Sequence, residues 1–218
     1  MERYGGGMSE IKINLRAYYN QEAKTRNAAT KQDWKLEERE QFHTLANSEN
    51  KTTLLELGAG PGYDSQYFMN NGMQVVAIDL SGEMVKLCKE KSIEAYEMDF
   101  CDILQLDKKF DCVWAFNTLL HVPKTDLPQV LKNIDTILNP NGLFFMGVYG
   151  GLNSEGEYAH DLAAFPNASS IPRFFSRYSN EALQAVLCEY FTILNFNQYD
   201  VGRGEFVFQS VLMRKNNF

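Results

Sequence analysis

The sequence has no apolar run approaching the length of a membrane span, and residues 1–20 hold no apolar core of the kind that directs secretion. Cysteine is sparse. Cys88, Cys101, Cys112 and Cys188 stand at neither CxxC nor metal-ligand spacing, so neither a zinc site nor a disulfide framework is expected. The expectation is buried free thiols in a reducing, cytoplasmic setting. Basic residues are outnumbered, 21 Lys and Arg against 28 Asp and Glu, for a formal charge of −7. That balance disfavours an extended nucleic-acid footprint, which needs a basic surface to neutralise phosphates, while leaving room for a local basic patch. No carboxylates cluster at metal spacing, so no metal is expected, and neither repeats nor low-complexity segments occur.

What is present is enough for one well-buried domain: 218 residues, 44% of them hydrophobic. Residues 1–8, opening "MERYGGG", read as a disordered arm or an expression remnant, and 9–218 as a single domain. Residues 9–50 are polar with scattered apolar positions, among them Ile11, Leu15, Tyr18, Tyr19, Trp34 and Phe42. They predict one or two short helices that cap something else.

From residue 52 the pattern alternates. Short apolar runs at 53–57, 74–79, 93–99, 110–117 and 143–149 predict five strands, with helical stretches between them. Ser81 is placed to cap the helix after the second strand. Leu127, Val130, Leu131, Ile134 and Ile137 recur at helical spacing, and "NPNG" at 139–142 ends that helix. Strands joined through helices imply right-handed crossovers and a parallel sheet covered on both faces. Residues 192–201 and 205–214 flank "GRG" and predict an antiparallel pair at the sheet's edge.

The first predicted strand runs into glycines in "LLELGAGPGYDSQYF", residues 54–68. In an open parallel sheet, ligands sit beyond the carboxyl ends of the strands, where the strand order reverses. Gly58, Gly60 and Gly62, with Ala59 between them, place bare backbone and a helix N-terminus there. The spacing is GxGxG rather than the GxGxxG of dinucleotide folds, and no lysine follows to make a P-loop. Glu56, just ahead, favours a ligand with a positive group. Asp79 (followed by Leu80) ends the second strand, where a carboxylate can accept from ribose hydroxyls. Asp99 ends the third, beside Phe100, where an adenine would find an acceptor and an apolar cover.

These residues resemble the class I S-adenosylmethionine-dependent methyltransferases. "LLELGAGPG", "VVAIDLSGEMV", "AYEMDFCDI" and "FDCVWAFNTLLHVPKTDLPQVLKNIDTILNPNGLFF" follow that family's motifs in order, over residues 54–149. The resemblance implies a Rossmann-like α/β fold, a seven-stranded, mostly parallel sheet whose last strand is antiparallel. It implies that S-adenosyl-L-methionine is the cofactor and S-adenosyl-L-homocysteine the product. By matching position, Glu56, Gly58, Gly60 and Gly62 would hold the methionine part, Asp79 the ribose, and Asp99 and Phe100 the adenine. Asn117 would lie near the sulfonium, and Tyr18 or Tyr19 would close over the cofactor.

His121 reads as a general base or acceptor-orienting group, or as a helix-start histidine packed on a loop. Residues 150–179 are too long and polar for a simple crossover and read as a lid or acceptor-binding segment. Tyr149, Tyr158, His160 and Arg173 are its acceptor-facing candidates. The leading functional reading is methyl transfer to a small-molecule acceptor by a monomer or homodimer. RNA or protein methylation, a non-catalytic S-adenosylmethionine-binding module and an NAD-dependent oxidoreductase are the alternatives.

Overall fold

A computed structural model describes residues 8–160, 169–204 and 206–216. Residues 1–7, set apart from the fold by their sequence, lie outside the described residues, as do 161–168 of the expected lid. Two helices, α1 (Glu10–Asn27) and α2 (Asp33–Ser48), precede an alternating run of β1 (Thr53–Leu57), α3 (Tyr63–Asn70), β2 (Gln74–Asp79), α4 (Gly82–Glu90), β3 (Glu94–Glu97) and β4 (Phe110–Phe116). There follow α5 (Leu127–Ile137), β5 (Leu138–Gly150), β6 (Ser154–Tyr158), β7 (Arg173–Arg177), α6 (Asn180–Cys188), β8 (Phe191–Arg203) and β9 (Phe206–Lys215). No helix among the described residues is long and apolar enough to cross a membrane.

The main sheet has seven strands in the order β3-β2-β1-β4-β5-β9-β8. The first five are parallel, and the order reverses between β1 and β4. The C-terminal pair is antiparallel, but only β8 is an edge. Strand β9 inserts between β5 and β8 and pairs with β5 from Leu143↔Arg214 to Gly150↔Val207. Burial drives that insertion: Phe208, Val211 and Met213 of β9 are fully covered, which an edge position would not achieve.

Local signals account for several boundaries. Ser81 and Ser179 cap α4 and α6 by accepting from Met84 N and Ala182 N, each at 3.2 Å. The "NPNG" segment does follow the end of α5, but as a bulge within β5. Phe110 pairs with Leu138 and Cys112 with Leu143, so the proline-containing residues between are looped out. Residues 150–179, expected as a lid, contain a small two-stranded antiparallel sheet of β6 and β7.

Side chains alternate across the sheet. On one face Leu55, Leu57, Val113, Phe144 and Met146 pack against α5 and α6. On the other, Leu54, Cys112, Trp114 and Phe145 meet Phe42 of α2 and Phe68 of α3. Trp114 stacks on Phe145 with ring centroids 4.1 Å apart; truncating such a buried aromatic costs about 3–5 kcal/mol. Glu56 shares this second face, since its register partner is Trp114.

The two N-terminal helices are longer than predicted, at 18 and 16 residues. Helix α2 enters the core through Phe42 and Ala46, whereas α1 is tied down by a series of polar contacts, which periodicity does not register. Asn20 of α1 accepts from Ser81 Oγ at 2.7 Å, Lys12 pairs with Asp99 at 2.8 Å, and Arg16 pairs with Glu97. These contacts pin α1 over the carboxyl ends of β2 and β3.

Candidate active site

The turn after β1 needs glycine for two different reasons. Gly58, Gly60 and Gly62 have φ of +64°, +56° and +82°, the left-handed region that side chains disfavour. At Gly58 the surroundings also forbid a side chain, since a β-carbon would lie 1.9 Å from Thr118 Oγ1. Gly60 faces open space, and its N–H donates to Asp79 Oδ2 at 2.9 Å. Asp79 Oδ1 accepts from Ser81 N at 2.8 Å, so one carboxylate ties the β1 turn to the β2 turn. Burial pushes the Asp79 carboxyl upward, against those two N–H donors.

Gly62 is placed differently from Gly58 and Gly60. A β-carbon there would meet Ile93 Cδ1 at 2.6 Å and Cys88 Sγ at 2.9 Å, and Gly62 is absent from the cavity lining. It permits close packing of the α3 start on α4.

Gly58, Ala59 and Gly60 border a cavity of about 350 Å³ at the switch point, shared with Glu56, Asp79, Leu80, Phe100, Asn117, Tyr19 and His121. A narrower cavity of about 50 Å³ adjoins it, lined by Met98, Asp99, Val122 and Pro123, with Leu80, Phe100 and His121 common to both. Asp99 therefore borders the smaller space. Its carboxylate caps the following turn through Cys101 N at 2.8 Å and pairs with Lys12. Burial raises the Asp99 carboxyl, but these partners bring it below its usual range. Asn117 ends β4 at φ +59°, its N–H on Gly147 O at 2.6 Å, and its buried Oδ1 has no hydrogen-bond partner among the described residues. An orphaned buried acceptor on a cavity wall calls for a ligand donor or a close positive charge.

Glu56 is buried, accepts from Ser65 Oγ, and is pushed up to about 8, first by desolvation and next by the charge of Asp64. Asp64, 3% exposed, sits in the first turn of α3. It binds Lys31 at 2.5 Å, Arg39 at 3.0 Å and Trp114 Nε1 at 3.0 Å. Burial opposes its ionisation, but Lys31 and Arg39 hold the carboxyl below its ordinary value. Two adjacent acids are thus driven apart, one charged and one neutral near pH 7.

His121 is half-buried, on the wall shared by the two cavities. Its Nδ1 lies 2.6 Å from the Phe174 carbonyl, which can only accept, so Nδ1 carries the proton and Nε2 accepts from Tyr19 OH at 2.6 Å. Desolvation lowers the imidazole to about 4, with Arg173 and Arg26 adding to the effect against the Phe174 hydrogen bond.

The four acceptor candidates do not line the main cavity. His160 and Arg173 stand behind Tyr18, whose hydroxyl is 3.4 Å from His160 Nε2 and whose ring lies 4.4 Å beneath the Arg173 guanidinium. Tyr158 is 42% exposed on β6, and Tyr149 accepts from Lys35 Nζ at 3.3 Å. Tyr18 is buried outside the lining, whereas Tyr19 borders the cavity. Arg26, Lys31, Lys35, Asp64 and Thr118 also border it and escaped the sequence reading. The available signal was the polar "RNAATKQDWK" at residues 26–35, which is the connection between α1 and α2 with its flanks.

Comparison with known proteins matches residues 55–146 to the methyltransferase-domain family. The matched segment runs from β1 into β5, so the N-terminal helices and the last strands lie outside it. A ubiquinone biosynthesis O-methyltransferase of Xanthomonas axonopodis pv. citri is 31% identical over 100 residues, covering 43% of this chain and 41% of the relative. A malonyl-[acyl-carrier protein] O-methyltransferase of Hamiltonella defensa is 30% identical over 128 residues, 58% of this chain and 48% of the relative. The chain thus spans less than half the length of these curated relatives. Among solved structures, the 1,6-didemethyltoxoflavin-N1-methyltransferase of Burkholderia thailandensis, with bound 1,6-didemethyltoxoflavin and S-adenosylhomocysteine, superposes with a TM-score of 0.70 at 18% identity. That match covers 100% of this chain and 94% of the other. That likeness shows a shared fold, which extends beyond the matched segment to the N-terminal helices and the last strands.

Proposed function

We propose that the chain transfers a methyl group from S-adenosyl-L-methionine to a small-molecule acceptor. One observation carries the reading. The carboxylate of Asp79 holds the Gly60 N–H at 2.9 Å on the wall of a cavity that also contains Glu56 and the orphaned Oδ1 of Asn117. This donor and acceptor set fits the cofactor. Glu56 and the backbone of Gly58–Gly60 suit an ammonium and a carboxylate, and Asp99 and Phe100 an adenine. Asp79 gives one acceptor site per oxygen to Gly60 and Ser81, and a carboxylate has about four, leaving two for ribose hydroxyls. When bound, the cofactor supplies an electrophilic methyl group on a sulfonium.

The chain's own residues bind, orient and exclude water. Asn117 Oδ1 turns an uncompensated acceptor towards the electrophilic end. Burial of Glu56 and Asp79 strengthens their attraction for positive and hydrogen-bonding groups. With Nδ1–H on Phe174 O and Nε2 on Tyr19 OH, His121 acts as a positioning residue, fixing the Tyr19 oxygen against the cavity rather than standing as a free base. Holding acceptor and donor in line supplies much of the acceleration, because the leaving group needs no further activation. A cytoplasmic setting belongs to this reading, supported by four free thiols of which Cys101 and Cys188 are exposed.

Calorimetric titration with S-adenosylmethionine, S-adenosylhomocysteine and NAD tests the proposal. Binding of the first two, lost in Asp79→Ala, is the expected result. Absence of binding, or preference for NAD, overturns it.

A further inference from the structure

Six basic and acidic side chains border the main cavity: Arg26, Lys31, Lys35, Glu56, Asp64 and Asp79. Two cations have an acid close by. Lys31 pairs with Asp64 at 2.5 Å, and Arg26, over the Tyr19 ring at 4.8 Å, acts electrostatically on Asp79. Lys35 differs. Its ammonium lies 5.1–5.9 Å from the centroids of Trp34, Phe116, Tyr149 and Phe208 and donates to Tyr149 OH at 3.3 Å. Among the described residues no carboxylate lies within ion-pair distance of it.

Aromatic faces orient an ammonium but do not neutralise it. An ammonium has three protons, and Tyr149 takes one, which leaves donors for the cavity. The Tyr149 oxygen accepts from Lys35, so the tyrosine fixes where the charge stands. In the proposed function the cofactor's single carboxylate goes to the Gly58–Gly60 backbone, and Lys35 stands instead with Phe116, at the end of β4. Resting on the methyltransferase reading, we infer that Lys35 is the anion-binding residue for the acceptor, and that the acceptor is a small carboxylic acid whose body lies against Phe116. Lys31 also stands over Phe116, at 5.5 Å, but is already paired with Asp64. The unpaired charge at this wall therefore suits a monoanion better than a phosphate dianion, which favours an arginine fork.

The test uses the purified chain saturated with S-adenosylhomocysteine. Benzoate, 4-hydroxybenzoate and trans-cinnamate are each titrated against their own methyl esters, with phenyl phosphate alongside. Binding is followed by calorimetry and by Trp34 fluorescence. The expected result is that at least one acid binds roughly tenfold or more tightly than its ester, the effect of one charge-assisted contact. Lys35→Met should abolish that preference while leaving the affinity for S-adenosylhomocysteine within about twofold. Lys35→Arg should retain part of it. Acids and esters binding alike, neither binding, or phenyl phosphate binding more tightly than every acid overturns the inference. So does a Lys35→Met variant that loses S-adenosylhomocysteine, because Lys35 would then serve the cofactor. If the unmodified chain fails to bind S-adenosylhomocysteine at all, both this inference and the methyltransferase reading fall; every other negative outcome leaves the latter standing.

Discussion

Thr118 fills the space into which residue 58 would project a side chain: its Oγ1 lies 1.9 Å from an ideal β-carbon on Gly58. The turn after β1 and the end of β4 are therefore mutually shaped, and the cavity wall depends on both. Gly60, with a similar φ but open space, carries only the backbone constraint. Gly60→Ala should fold and lose about 1–2 kcal/mol, the cost of a left-handed alanine. Gly58→Ala must also displace Thr118, and its S-adenosylhomocysteine affinity should fall by roughly a further tenfold or more. Thermal melts and calorimetry of the two variants decide it; equal affinities would show that the contact does not shape the site.

Glu56, held near pH 8 by burial and by Asp64, is protonated at pH 7 while the cavity holds no cation. An ammonium favours its charged form, so cofactor binding should release close to one proton at pH 7. The release should fade above about pH 9, where Glu56 is already ionised. Titrations in phosphate and in Tris differ in apparent enthalpy by the protons exchanged. Glu56→Gln should erase that difference.

Asp64 pairs with both Lys31 and Arg39, at 2.5 and 3.0 Å. Asp64→Asn leaves two cations partly buried and should cost about 3 kcal/mol, or about 6–12 °C in Tm for a chain of this size. The same substitution removes a charge that raises Glu56. The proton-release curve of the preceding experiment should accordingly move to lower pH. An unchanged curve would mean that the two carboxyls are independent.

His121 is depressed from 6.5 to about 4 in the folded chain, first by desolvation. The unfolded chain binds the proton more readily between those values, so this histidine's contribution to stability is present above about pH 6.5 and is lost as pH falls towards 4. The loss is about 1.4 kcal/mol per pH unit across that window. His121→Gln should flatten this part of the stability profile in urea unfolding between pH 4 and 7. In turnover, a histidine acting as a general base would impose a break near pH 4, where the folded imidazole takes up a proton. A positioning histidine should leave kcat flat there, while Tyr19→Phe and His121→Gln lower kcat by similar factors.

Much of this molecule was legible from spacing. The strands at 53–57 and 74–79 are bounded in the structure as in the sequence, because a buried parallel strand is a short apolar run closed by a turn. Ser81 was legible as a cap, and Gly58 and Gly60 as bare backbone, since each role is decided within a few residues. The harder cases were decided across the chain. Gly62 packs closely because Ile93, the residue before β3, and Cys88 of α4 reach it. Likewise, β9 lies inside the sheet because its apolar side chains need covering on both flanks.

The sequence alone determined the alternation of strands and helices, the glycine turn, and the placement of acids at successive strand ends, all set by local periodicity and backbone geometry. Tertiary structure decided the charges. Lys31 and Lys35 come from the connection and helix before the sheet, Asp64 from the helix after β1, and Tyr19 meets His121 across 102 residues. No periodicity encodes such meetings. They arise because the fold brings the ends of α1, α2, β1, β2 and β4 to one cavity, where low dielectric makes each charge depend on its partners.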